Sequence, residues 1–178
     1  MVDVSGTEVT GPPPADASGV VPGLYWGVRD SFLRYVLGNP DGQLYGDDGV
    51  ETDGDGMFRF PLRTLERSGP SWRIGFGGEV RFAAHFGMLD VALRHPVVEL
   101  DESGGLLSVD GPNGASLPIV RLEWAAPVLI EGRWVVFPPL STTLTEEGVA
   151  VFGDVYAAGT AFDDIRVALP ADAVPEDQ

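Results

Sequence analysis

The chain has no cysteine and no lysine, and only two histidines, His85 and His95, in 178 residues. Without cysteine there is no disulfide framework, no cysteine-based zinc site, no thiol nucleophile and no thiolate metal ligand. Positive charge is scarce: eleven arginines face 27 acidic residues, for a net charge of −16. Nucleic acid or an anionic membrane surface would need clustered cations, so both are excluded as partners. No apolar run reaches the length of a membrane span, so no membrane insertion is expected. The first residues lack the basic and apolar regions of a signal peptide. That predicts a cytoplasmic protein, or a cell-surface or secreted one if the sequence is part of a longer chain.

Turn-forming residues are plentiful, with 24 glycines and 15 prolines. Between them lie short segments of alternating polarity. Gln43–Tyr45, Met57–Pro61, Trp72–Phe76, Leu89–Arg94, Val97–Leu100, Leu106–Val109, Ile119–Trp124, Val128–Ile130, Arg133–Phe137 and Ile165–Leu169 all read as strands. The clearest is Glu79–Phe86. Val80, Phe82, Ala84 and Phe86 point one way, and Glu79, Arg81, Ala83 and His85 the other. His85 therefore stands on the face opposite the apolar row, either in solvent or aimed into a cleft. Pro138 and Pro139 are expected to break the strand that precedes them, leaving Ser141–Thr145 as a separate extended piece. Many short strands and a single strong helix predict a mainly β fold, an antiparallel β-sandwich with one packed N-terminal helix. A short C-terminal helix is expected at Glu146–Gly153, entered at Thr145, with Val149, Phe152 and Tyr156 on one side. The domain should span residues 23–170, between a disordered polar arm at 1–22 and an acidic tail at 171–178.

The helix is expected within Trp26–Gly38. Leu24, Val28, Phe32, Tyr35 and Val36 recur at helical spacing, and Gly38, Asn39 and Pro40 end the run. Ser31 and Tyr35, four residues apart, lie on one face a turn apart. A hydroxyl above a phenol is a small polar site on an otherwise apolar surface, or simply a core tyrosine with a satisfied hydroxyl.

Other constellations are weaker. Glu51, Asp53, Asp55 and Gly56 match part of a calcium loop, but Arg59 and Leu62 stand where further ligands are needed, so a solvated hairpin loop is expected. A hydrolase using Ser31 and His85 lacks the glycine-flanked serine elbow. A zinc site at His85 and His95 lacks further ligands at sensible spacing. Trp72, Trp124 and Trp134 could be platforms of a β-sandwich binding module for carbohydrate or a protein partner, or core residues.

Three stretches together resemble one family: Trp26–Tyr35, Phe76–Val91 and Phe152–Asp163. In this order they are similar to the HtaA domain, the haem-binding module of actinobacterial haem-uptake proteins. The resemblance implies that Tyr35 is the axial ligand of ferric haem, that His85 hydrogen-bonds the Tyr35 oxygen, and that Ser31 and Tyr156 help line the pocket. It implies no enzymatic activity. Candidate partners are haem itself, a haem donor or acceptor protein, and a second copy of the chain. The sequence departs from the family at Ala84, where glycine is usual, at His95, where aspartate is usual, and at Asp163–Asp164, where Asp-Pro is usual.

The chemistry is consistent with that implication. Ferric iron is a hard acid, and a phenolate oxygen suits it as an axial ligand. A free phenol is protonated at neutral pH, so a histidine donating to its oxygen would favour the anion. One phenolate without a strong opposing ligand suits capture, transfer or buffering rather than oxygen chemistry. The reading makes an architectural prediction: Tyr35 and His85 must meet in the fold, and a structure that puts them on opposite sides of the sandwich overturns it.

Overall fold

A computed structural model describes residues 21–52 and 57–175. Fourteen strands and two helices follow in the order β1 Gly23–Trp26, α1 Asp30–Leu37, β2 Gln43–Asp47, β3 Glu51–Thr52, β4 Phe58–Phe60, β5 Leu62–Ser68, β6 Ser71–Phe76, β7 Glu79–Ala84, β8 Leu89–Arg94, β9 Val97–Asp101, β10 Gly104–Asp110, β11 Ser116–Leu122, β12 Val128–Ile130, β13 Trp134–Leu144, α2 Glu146–Val151 and β14 Ala161–Pro170. A tight turn occupies His85–Gly87 and a single 3-10 turn Ala171–Ala173. The expected arm before residue 21 and part of the acidic loop, residues 53–56, lie outside the described residues.

Every strand pair is antiparallel. Eleven strands form one sheet in the order β3-β4-β1-β14-β13-β11-β10-β9-β6-β5, with β12 paired to β13; β2, β7 and β8 form a second. This is the antiparallel β-sandwich that the alternating segments predict. The large sheet curls strongly. Trp72 on β6 and Phe137 on β13 have three strands between them, which in a flat sheet would put them about 19 Å apart. Their rings meet edge-on at 5.3 Å. The small sheet covers the other part of the core, where Phe82 of β7 packs on Phe58 of β4 at 6.0 Å.

Three local expectations are corrected. The helix begins at Asp30, not at Trp26. Leu24 and Trp26 are buried because they belong to β1, between β4 and β14. Val28 takes a left-handed φ of 64°, which breaks any helix there, and its carbonyl accepts from the Asp163 amide at 2.9 Å. Strand β7 ends at Ala84, so Phe86 leaves the apolar row and is exposed. The two prolines do not break β13. The strand runs through them with register shifts between Phe137 and Leu140 and between Leu140 and Thr142, because a bulge absorbs the missing amide donors.

Helix α2 forms where Thr145 predicts it. The Gly148 amide donates to Thr145 Oγ1 at 2.9 Å, and the Thr145 hydroxyl lies 2.7 and 3.0 Å from the Pro118 and Ile119 carbonyls on β11. One buried side chain thus caps the helix and anchors it to the large sheet. Tyr156 lies beyond the end of this helix, not on its side. Thr145→Val keeps the shape and removes both roles. It should destabilise the fold by about 1–2 kcal/mol, read as a lower urea midpoint at unchanged m-value.

Candidate functional site

Helix α1 crosses the seam between the two sheets. Phe32 and Val36 are fully buried, and the Phe32 ring meets Phe82 at 5.2 Å and Phe152 at 5.3 Å. With that edge inward, Ser31 and Tyr35 turn outward together. Asn39 Nδ2 donates to the Tyr35 carbonyl at 2.7 Å and finishes the helix. Tyr35 is 39% exposed.

His85 reaches the same place from the small sheet. The chain turns sharply after Ala84, with left-handed φ at His85 (55°), Phe86 (57°) and Gly87 (89°). Asp41, on the connection after α1, accepts a hydrogen bond from the Phe86 amide and so ties this turn to the helix end. Tyr35 Oη and His85 Nε2, fifty residues apart in sequence, lie 2.7 Å apart. The architectural requirement is met.

The other two expected residues also meet. Ser31 Oγ and Tyr156 Oη are 3.0 Å apart. Tyr156 follows α2 and packs on Phe162 at 5.4 Å and near Phe32 at 6.3 Å. Two hydroxyl-bearing pairs, Ser31–Tyr156 and Tyr35–His85, thus stand one helical turn apart on one face of α1. Ala84, the departure next to His85, is buried in the apolar row with Val80 and Phe82. Its extended φ of −160° suits any residue, and its burial puts its methyl group in the core.

Sequence reading missed two contributors. Arg29 donates its Nε–H to Ser31 Oγ at 2.9 Å and a second bond to the Ala161 carbonyl, and its guanidinium lies 5.1 Å from the Tyr156 ring centroid. It braces Ser31 against the third motif, and its position two residues before Ser31 was the available signal. Asp41 left no signal, since its partner is a backbone amide far along the chain. Beside them, Phe86, which strand parity placed in the apolar row, and Met88 in the turn that follows are 94% and 90% exposed on either side of Gly87.

The remaining candidates lie away from this face of α1. His95 Nδ1 lies 2.9 Å from Asp110 and its Nε2 lies 3.6 Å from Asp48, and no group of three metal-ligating side chains occurs among the described residues. Trp72 and Trp134 are buried and Trp124 is half-buried, so none is a surface platform. A hollow of about 470 Å³ beside Trp72 is roofed by Arg67, whose guanidinium stacks on the indole at 4.8 Å.

Near Arg29, burial pushes the Asp163 carboxyl above its ordinary range; Asp30 adds to this and Arg29 opposes it. A carboxyl raised in the folded state binds its proton more tightly there than in the unfolded chain. Asp163 therefore opposes folding at neutral pH, and that penalty fades as pH falls through its raised value. Asp163→Asn should raise the urea midpoint at pH 7 and leave it nearly unchanged near pH 4. Equal shifts at both pH values would show that the charge is not the cause.

Comparison with known proteins gives a family and a fold. The HtaA family profile (Htaa) matches residues 23–168. Among solved structures, the N-terminal domain of HtaA from Corynebacterium glutamicum superposes with a TM-score of 0.71 at 23% identity, covering 83% of this chain and 95% of that one. The C-terminal domain of the same protein gives 0.69 at 24% identity, covering 83% and 94%. The heme binding protein HtaB from the same organism gives 0.65 at 24% identity, covering 83% and 91%. No curated protein sequence matches.

Proposed function

Since the chain belongs to the HtaA family, we propose that the cleft between α1 and the His85 turn binds ferric haem, with Tyr35 as its axial ligand. The observation that carries this reading is the 2.7 Å contact between Tyr35 Oη and His85 Nε2. A half-exposed phenol oxygen beside an imidazole is a hard donor with its partner in place. The surroundings fit a flat apolar group. Phe86 and Val155, next to His85 and Tyr156 in the chain, and Met88, three residues after His85, are exposed, and Phe32 and Phe162 back the cleft from the core.

Ferric haem supplies a hard Lewis-acidic iron, which a phenolate oxygen satisfies. The protein's part is to provide that oxygen. Tyr35 gives up its hydroxyl proton to solvent, and His85, protonated at Nε2, donates to the oxygen and favours the anion. Helix α1 holds the oxygen in place, because Phe32 cannot leave the core without a cavity. Ser31 and Tyr156 offer hydroxyls one turn away, and Arg29 holds Ser31 in position.

This is a binding protein and not an enzyme. A single protein ligand on a half-exposed cleft suits capture, buffering or transfer. A donor or acceptor protein, or a second copy of the chain, would exchange haem at that open side.

Two results test the assignment. Hemin added to the purified protein should give a high-spin tyrosinate-type spectrum, and Tyr35→Ala should lose it; an unchanged spectrum means another residue holds the iron. His85→Ala should change the unfolding free energy of the haem-free protein by less than about 1 kcal/mol, because the side chain is outside the core. It should weaken haem affinity by roughly ten- to a hundredfold with a shifted spectrum, as losses of a ligand's hydrogen-bond partner do. Unchanged affinity would make His85 a bystander.

A further inference from the structure

Two costly features coincide at the corner that carries His85. The first is backbone conformation. Phe86 has a φ of 57° and follows His85 at 55°. A left-handed φ is tolerated by glycine, asparagine or aspartate, and for a bulky aromatic residue it is a rare and strained state. The second is exposure. Phe86 is 94% and Met88 90% exposed, so two large apolar side chains stand in water with almost no protein cover. A hairpin of β7 and β8 needs neither. A glycine at position 86 would make the same turn without strain, and a polar residue at 88 would remove the exposed surface. The turn is also held in this state, since the Asp41 carboxylate accepts from the Phe86 amide. Strain and uncovered apolar surface persist together where both serve a bound ligand.

We propose that Phe86 and Met88 form a retention wall: apolar side chains that the left-handed turn throws outward so that they cover a planar tetrapyrrole seated at Tyr35 and slow its escape. This rests on the reading of the cleft as a haem site and deepens it. The apolar surface is supplied by the protein in advance of binding, so part of the cost of ordering the site is met in the empty state. Burying these side chains against the ligand returns the hydrophobic free energy that their exposure withholds. The wall acts on residence time, whereas Tyr35 and His85 act on the iron. Phe86 and Met88 are positioning residues for the ligand and take no part in bonding to the metal.

The experiment uses the full chain with Phe86→Gly, Phe86→Asn, Phe86→Trp and Met88→Gln. Glycine and asparagine relieve the left-handed backbone and remove the ring; tryptophan keeps an aromatic wall. Three readings are taken: the melting temperature of the haem-free protein, the rate of hemin transfer to apomyoglobin, and the dissociation constant of metal-free protoporphyrin IX. Phe86→Gly and Phe86→Asn should melt no lower than the original protein, yet release hemin about tenfold faster and bind the metal-free porphyrin about tenfold more weakly. Met88→Gln should move both binding readings in the same direction, Phe86→Trp should retain the original rate, and Leu129→Asn, at an exposed apolar position on β12, should change nothing. If the glycine and asparagine variants both melt several degrees lower, Phe86 is a structural residue and the wall is refuted. If hemin forms the tyrosinate-type spectrum but the Phe86 variants release it at the original rate, the wall is refuted and the Tyr35 assignment stands. If the tyrosinate-type spectrum never forms while the metal-free porphyrin still distinguishes Phe86→Gly from the original, the Tyr35 assignment falls and the wall stands.

Discussion

The burial of Phe32 fixes the geometry of the cleft. This ring sits where α1 crosses between the sheets, edge-on to Phe82 of the small sheet and to Phe152 beside the large one. Once that side of a short helix is committed to the core, the helical period leaves no freedom for the rest. Ser31 and Tyr35 must face outward one turn apart, and they meet Tyr156 and His85 from two different elements. The helix has only eight residues and no side-chain cap at its start. It would not persist alone in water; its stability comes from the packing of its buried face.

The second constraint is the turn after β7. An extended strand would carry His85 onward with the β7–β8 ladder. Three consecutive left-handed residues instead fold the chain back within one turn, so that the imidazole reaches Tyr35 and β8 can pair with β7 from Leu89. Local backbone cost is thus accepted where a polar contact is needed, as is common where strain and function share a site. Elsewhere the small sheet follows ordinary rules. On its open face Arg81 pairs with Asp90 at 2.7 Å, and Arg94 with Glu79 at 3.1 Å, across neighbouring strands. The Arg81 hydrogen bonds hold the Asp90 carboxyl below its ordinary range. These pairs are largely solvated, so they set register and solubility more than stability.

Charge distribution separates this cleft from the rest of the surface. The chain is strongly acidic, yet the residues that meet on α1 carry hydroxyls and an imidazole, with Arg29 beside Ser31 and the Asp41 carboxylate engaged by the Phe86 amide. His95, the other histidine, lies between the carboxylates of Asp48 and Asp110, away from it. The two histidines therefore have different tasks although both stand at strand ends with a left-handed φ. Residue type alone would not distinguish them; the partners that the fold supplies do.

Much was legible in the residues themselves. Alternating polarity marks Trp72–Phe76, Leu89–Arg94 and Val97–Leu100 as strands, because a sheet face in contact with the core needs apolar side chains at every second position. Thr145 before two glutamates marks the start of α2, because a threonine hydroxyl can satisfy a free helix amide. The three motifs carry the family, and with it Tyr35, His85, Ser31 and Tyr156. Periodicity failed where long-range packing overrode it. Leu24 and Trp26 fit a helical stripe but are claimed by β1, since pairing with β4 and β14 satisfies their backbone and buries them. Phe86 fits the inward parity of β7 but is thrown outward by a turn whose conformation no local pattern specifies. The sequence by itself determined the fold class, the helix face that bears Ser31 and Tyr35, and the chemistry available to the site. Only the tertiary structure decided that the phenol and the imidazole are in contact, that Arg29 and Asp41 brace them, and that Phe86 and Met88 stand exposed on the turn that follows His85. Those contacts join residues tens of positions apart, and sequence spacing carries no information on which distant groups a packed core brings together.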